Sequence, residues 1–104
     1  MVTRICVVTG SRAEYGLLKL VIERIRRSKR LDLQLVVTGA HLSHEFGFTV
    51  QEIYRDGFIV DESVEMLLSS DSNLGMSKSF GLGIIGLAEA FSSLKPDCVL
   101  LLGD

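Results

Sequence analysis

The sequence is poor in the residues that metal sites, nucleic-acid surfaces and membrane spans require. Only two cysteines occur among 104 residues, Cys6 and Cys98, and neither has a His or Cys neighbour at ligand spacing. Both lie in apolar runs and are expected as buried small side chains in a reducing compartment. Eleven basic against thirteen acidic residues leave a net charge of −2, without the basic face that nucleic acid would need. The one basic cluster, Arg24, Arg26, Arg27, Lys29 and Arg30, reads as the dipole-complementing end of a helix. The uncharged run from Ser79 to Ala88 is far shorter than the roughly 20 residues of a membrane span. A strand-like run starts within five residues of the amino end, with no small-residue cleavage site after it. No secretory leader is therefore expected, and a cytoplasmic location is the default. Internal repeats and linkers are absent, and one proline, Pro96, is the only one in the chain.

What is present is a high apolar share, 47% in a chain long enough for one domain at most. A chain of this size buries only about two-thirds of its unfolded surface. So much apolar content calls for strands covered on both faces, or for a surface that meets a partner.

The patterning supplies the strands. Arg4 to Thr9 reads as a buried strand stopped by Gly10. Gly10 to Gly16 reads as a polar turn, after which Leu17, Leu18, Val21, Ile22 and Ile25 recur at helical spacing. Leu33 to Thr38 is a second strand, followed by a loop with His41 and His44. Thr49 to Asp56 fits a helix, with Thr49 as N-cap and Gly57 just past its end. Phe58 to Val64 is a weaker strand, and Ser69 to Ser79 reads as a Ser-rich loop. Phe80, Ile84, Leu87, Phe91 and Leu94 form a helical stripe that Pro96 stops, and Cys98 to Leu102 is the last strand. Strands alternating with helices imply parallel pairing through right-handed crossovers. The expected fold is α/β, a Rossmann-like parallel sheet with helices on both faces and strand order 3-2-1-4.

Such sheets bind ligands beyond the carboxyl ends of their strands, where strand order reverses. Gly10 to Gly16 and Gly103-Asp104 converge there, with Gly39 to His41 nearby. A helix opening with glycines suits a phosphate, and Arg12 would add a planar cation; the plainer alternative pairs Arg12 with Glu14. Asp104, at the tip of a central strand, suits acid or base chemistry, or else caps a following helix. His41 would donate to a ligand or stand as an ordinary loop histidine. His44, beside Glu45, reads as a solvated pair. Gly81 to Gly86 fits G-x-G-x-x-G but lies inside a helical stripe, where glycines allow close packing instead of dinucleotide binding. Thr38-Gly39 stands where a ribose-binding acid would be, and neither a P-loop nor G-x-S-x-G occurs.

Six short motifs occur in order: Thr9 to Gly16, Val37 to Ser43, Glu45 to Gly47, Asp56 to Phe58, Ser77 to Ser79, and Leu94 to Asp97 followed by Leu102 to Asp104. Together they resemble the amino-terminal part of UDP-N-acetylglucosamine 2-epimerases. Ser-Arg-Ala-Glu-Tyr in the first turn, in place of Gly-Thr-Arg-Pro-Glu, resembles the hydrolysing branch of sialic acid biosynthesis. The resemblance implies that residues 1–104 are a partial first domain of a GT-B-like two-domain enzyme, with the rest of that domain and the second domain absent. It implies conversion of UDP-GlcNAc to N-acetylmannosamine and UDP by anti elimination of UDP and then hydration. No cofactor, metal, membrane or nucleic acid is implied; the full-length enzyme would be a homo-oligomer, and the isolated fragment would be inactive. By motif position, Arg12 corresponds to an arginine near the UDP diphosphate and Gly16 to a helix-opening position near the nucleotide. His41 corresponds to a recurrent histidine of the second-strand loop, taken as substrate-binding. Asp104 corresponds to an aspartate of the catalytic centre. A non-hydrolysing epimerase or a UDP-diacetamido-trideoxyhexose hydrolase is the neighbouring alternative within the resemblance. Outside it, a standalone flavodoxin-like binding module is the competing reading.

Overall fold

The computed structural model describes residues 2–42, 49–65 and 72–102. Within them the chain runs β1 (Thr3–Thr9), α1 (Arg12–Arg27), β2 (Leu31–Thr38), a 3-10 turn (Gly39–Leu42), α2 (Val50–Arg55), β3 (Glu62–Val64), α3 (Asn73–Leu94) and β4 (Cys98–Leu101). The four strands form one parallel sheet in the order β3-β2-β1-β4, the order expected from the alternation of elements.

Period-two alternation sorts the strand residues between two faces. Val7, Leu35 and Val37 point to one side, where they meet Tyr15, Leu18, Ile22 and Ile25 of α1 and Val50 and Ile53 of α2. Cys6, Val8 and Val36 point to the other, where Ala90 of α3 covers them, with Leu87, Phe91 and Leu94 alongside. Two aspartates, Asp61 and Asp97, immediately precede the outer strands. Asp61 accepts from Leu35 N at 2.7 Å while its own N–H donates to Leu35 O at 2.8 Å. Asp97 does the same with Arg4 at 2.8 and 2.9 Å. Each side chain thus stands in for one backbone partner and fixes the register.

Several sequence expectations are corrected here. Helix α1 begins at Arg12, four residues before Gly16, because Ser11 and Glu14 form a capping pair. The Ser11 hydroxyl accepts from Glu14 N at 3.3 Å, and the Glu14 carboxylate accepts from Gly10 N at 3.0 Å. With that start, Tyr15 joins the buried stripe, while Leu17 is left 72% exposed. Helix α3 likewise begins at Asn73, not Phe80, capped by Ser72, whose hydroxyl accepts from Gly75 N at 3.0 Å. Its buried line is Gly75, Ser79, Gly83 and Ala90, so small residues face inward and Phe80 and Ile84 face out. A Cβ on Gly86 would collide with Val64 Cγ1, which explains why a glycine stands there. The G-x-G-x-x-G segment therefore lies inside a helix. β3 is only three residues long, and Phe58 packs in the core before it. Cys98, expected to be buried, is exposed among the described residues. Cys6 is buried, and burial pushes its thiol up to about 11.

Candidate functional site

The carboxyl ends of β1 and β2 lie side by side, with Thr9 one register step beyond the Val8–Val36 pair. Gly39 follows β2 with φ +63°, and a Cβ there would sit 2.6 Å from Gly10 O. The two turns therefore touch backbone to backbone, which only glycine permits at this position. The start of α1 faces this edge, so its first N–H groups and partial positive charge lie where an anion would be favoured.

Arg12 opens α1 on the surface. Its partner is Glu52 of α2, at 3.0 Å, and not Glu14. Glu14 turns back to Gly10 N and to the Ser11 hydroxyl, 3.0 and 3.4 Å away. An anion approaching this edge therefore meets one arginine already neutralised and one backbone donor already used. Gly16 is exposed on the second turn of α1, with nothing within 4 Å of where its Cβ would be. Asp104 and His44 lie outside the described residues.

His41 is fully buried behind the edge, not exposed on a loop. Its Nε2 is 3.0 Å from Thr9 Oγ1, and its Nδ1 is 2.8 Å from Thr49 Oγ1. Its ring meets Tyr15 edge to face, 6.3 Å between centroids. Burial holds the imidazole below its ordinary value, while Glu14 and Glu52 pull the other way. Thr49 occupies the N-cap position of α2 with helical φ and ψ and makes no capping bond. Its hydroxyl serves His41 instead. Beneath His41, the Tyr15 hydroxyl donates to Asp56 at the end of α2, and Lys19 pairs with the same carboxylate at 3.2 Å. These contacts raise the tyrosine, chiefly through burial, and lower the aspartate, chiefly through the tyrosine hydrogen bond. On the other face, Thr38 Oγ1 is buried with no hydrogen-bond partner among the described residues.

The structure thus gathers Arg12, His41, Thr9, Thr49 and Glu52 around one edge. Sequence reasoning singled out Arg12 and His41 but missed both threonines and Glu52. Ser11-Arg-Ala-Glu14 is a legible capping box and would have placed the start of α1. Nothing local marks Thr9 or Thr49 as partners of a histidine 32 and 8 residues away.

Among known proteins, the sequence profile described as UDP-N-acetylglucosamine 2-epimerase matches residues 23–104. A GDP/UDP-N,N'-diacetylbacillosamine 2-epimerase (hydrolyzing) of Campylobacter jejuni is 42% identical over 97% of this chain. A UDP-N,N'-diacetylbacillosamine 2-epimerase (hydrolyzing) of Legionella pneumophila is 41% identical over all of it. The chain spans only 26% and 28% of those two proteins, about a quarter of their length. The crystal structure of UDP-GlcNAc 2-epimerase from Neisseria meningitidis bound to UDP-GlcNAc superposes on 98% of this chain and 26% of that one, with TM-score 0.75 at 20% identity, a likeness of fold. No described helix is long and apolar enough to cross a membrane. With most of its length matched by that profile and its sheet matched by that fold, this chain belongs to the UDP-N-acetylglucosamine 2-epimerase family.

Proposed function

We propose that this chain supplies the amino-terminal half-site of a hydrolysing UDP-HexNAc 2-epimerase, with UDP-N,N'-diacetylbacillosamine preferred to UDP-GlcNAc. The observation that carries this reading is the identity of 42% and 41%, along essentially the whole chain, to two relatives named for that hydrolysing reaction. The reaction balances without a redox partner. A base removes the C2 proton, the C1–O bond breaks, and UDP leaves with the bonding electrons. Water then returns hydroxyl to C1 and a proton to the opposite face of C2, giving the free 2-epimer.

Each step has a physical need that a residue here can meet. In this reading Arg12 receives the diphosphate, exchanging Glu52 for the ligand's charge. Gly16 leaves room for the nucleotide, and Asp104 serves as acid or base. A homo-oligomeric, cytoplasmic enzyme belongs to the same proposal.

The test is an assay of the full-length protein with both UDP-sugars, following UDP release and identifying the free sugar by NMR. The expected result is free 2-epimer and UDP from the diacetamido substrate, with higher kcat/KM than for UDP-GlcNAc. A higher kcat/KM for UDP-GlcNAc, yielding N-acetylmannosamine, would restore the sialic acid reading. Recovery of an intact UDP-linked 2-epimer would move the protein to the non-hydrolysing branch. Asp104→Asn is expected to retain UDP binding and lose turnover; normal turnover would remove it from the chemistry.

A further inference from the structure

His41 draws three separate segments together: Thr9 at the end of β1, His41 itself in the turn after β2, and Thr49 at the start of α2. Both ring nitrogens are engaged and the residue has no exposed surface, so it cannot reach a ligand without abandoning its partners. The direction of the chain can be worked out from proton supply. A threonine hydroxyl has one proton to give. Thr9 gives its proton to Ser11 O, at 3.5 Å. Thr9 Oγ1 therefore accepts from His41 Nε2–H. In the neutral ring Nδ1 is then an acceptor, and the Thr49 hydroxyl donates to it. The result is one directed run from Thr49 through His41 and Thr9 to the Ser11 carbonyl.

That run ends at a decisive place. Ser11 is the N-cap of α1; its carbonyl takes the first helical bond, from Tyr15 N at 3.0 Å, and the next residue is Arg12. We infer that His41 is a positioning residue, a buried strut that acts through Thr9 and Ser11 to hold the β1–α1 turn and Arg12 where a nucleoside diphosphate is received. The inference rests on the reading of that turn as the diphosphate edge. It takes His41 out of direct contact with the substrate and gives Thr9 and Thr49 a part in binding.

The experiment uses the full-length protein, with UDP as the probe in calorimetry and turnover measured at saturating UDP-sugar. Thr9→Val keeps the shape of the side chain and removes the hydroxyl that receives His41. It is expected to weaken UDP about tenfold while kcat stays within about threefold, the pattern of lost ground-state binding. His41→Leu is expected to do the same. His41→Gln keeps an N–H near the Nε2 position and is expected to recover most of the affinity. Thr49→Val, which cuts only the arm to α2, is expected to weaken UDP about threefold. Unchanged UDP affinity in folded Thr9→Val, whatever happens to Tm, would overturn the inference. So would a hundredfold loss of kcat at unchanged affinity in His41→Gln, since that belongs to a residue acting on the reacting atoms. Arg12→Ala run alongside separates the two readings. If it leaves UDP affinity intact, the diphosphate edge itself is misplaced; if it weakens UDP while Thr9→Val does not, only the strut fails.

Discussion

On one face of the sheet, α1 and α2 enclose ten buried side chains, among them Ile22, Leu35 and Ile53 with no exposed surface. On the other, α3 covers a cluster half that size through small residues, and Leu74, Met76, Phe80, Leu82, Ile84 and Ile85 stay exposed at 44% or more. The first face is closed by large interlocking side chains and stitched at its rim by Tyr15, Asp56, Lys19 and His41. The second is closed by Ala90 with the half-buried Leu87, Phe91 and Leu94, and by Gly86, which lets the helix settle against Val64. Both α1 and α3 leave apolar side chains exposed, but α1 buries four large ones, Tyr15, Leu18, Ile22 and Ile25, where the fully buried residues of α3 are small. Stability should therefore reside chiefly in the α1–α2 face, and α3 should tolerate change on its outer side, away from its line of small residues and from Leu87, Phe91 and Leu94.

The largest effect should come from the closed face. Ile22→Ala is expected to cost about 3–4 kcal/mol in denaturant unfolding of the protein, because it leaves a cavity among well-packed neighbours. Ile84→Ala, on the outer side of α3, should change stability by less than about 0.5 kcal/mol. Equal losses at the two sites would break the comparison.

Within α3 a pair of glycines sharpens it. Gly86→Ala should destabilise by about 1–3 kcal/mol, since its Cβ meets Val64. Gly81→Ala meets nothing within 4 Å and should stabilise the helix by about 0.5–1 kcal/mol. The opposite signs can be read from the midpoints of two unfolding curves.

A pH effect should follow from His41 on the closed face. Burial lowers its pKa in the folded chain, against the pull of Glu14 and Glu52. Below the ordinary value of 6.5, the unfolded chain therefore binds more protons than the folded one. Its contribution is fully present above that value and is lost as pH falls toward the lower folded value. His41→Gln should reduce the slope of Tm against pH over that window; an unchanged slope would assign the pH dependence to other groups.

The smallest effect is expected at the rim. Glu52→Gln breaks the ion pair with Arg12, whose side chain is 72% exposed, so unfolding stability should move by less than about 0.5 kcal/mol. A larger loss would show that the helix-to-helix pair carries more of the closed face than its exposure allows.

The alternation of strands and helices was legible because Val/Ile/Leu runs and 3.6-residue stripes are local signals. The order 3-2-1-4 was expected from the doubly wound fold that such an alternation implies, and the sheet has it. The helix starts were misjudged where polar residues looked like turns. Ser11 and Ser72 cap their helices, so the polar segments after them are helical. The outward turn of Phe80 and Ile84 was not legible, since their spacing with Leu87, Phe91 and Leu94 fits one face equally well. Which side packs inward was decided by how near the helix backbone must come to the sheet. At the candidate site, Arg12 and His41 were visible as residues but their partners were not.

By itself, then, the sequence determined the parallel α/β order, the glycine stops after the first two strands, and the placing of Arg12 and His41 near the carboxyl edge. These depend on neighbours a few residues apart, and short-range periodicity encodes them. Only the tertiary structure decided that His41 is buried between two threonines, that Arg12 faces Glu52, and that α3 packs through its smallest residues. Those outcomes depend on distances between segments far apart in the chain. A side chain's role there is set by which groups the fold brings within hydrogen-bond reach, and no local pattern records that.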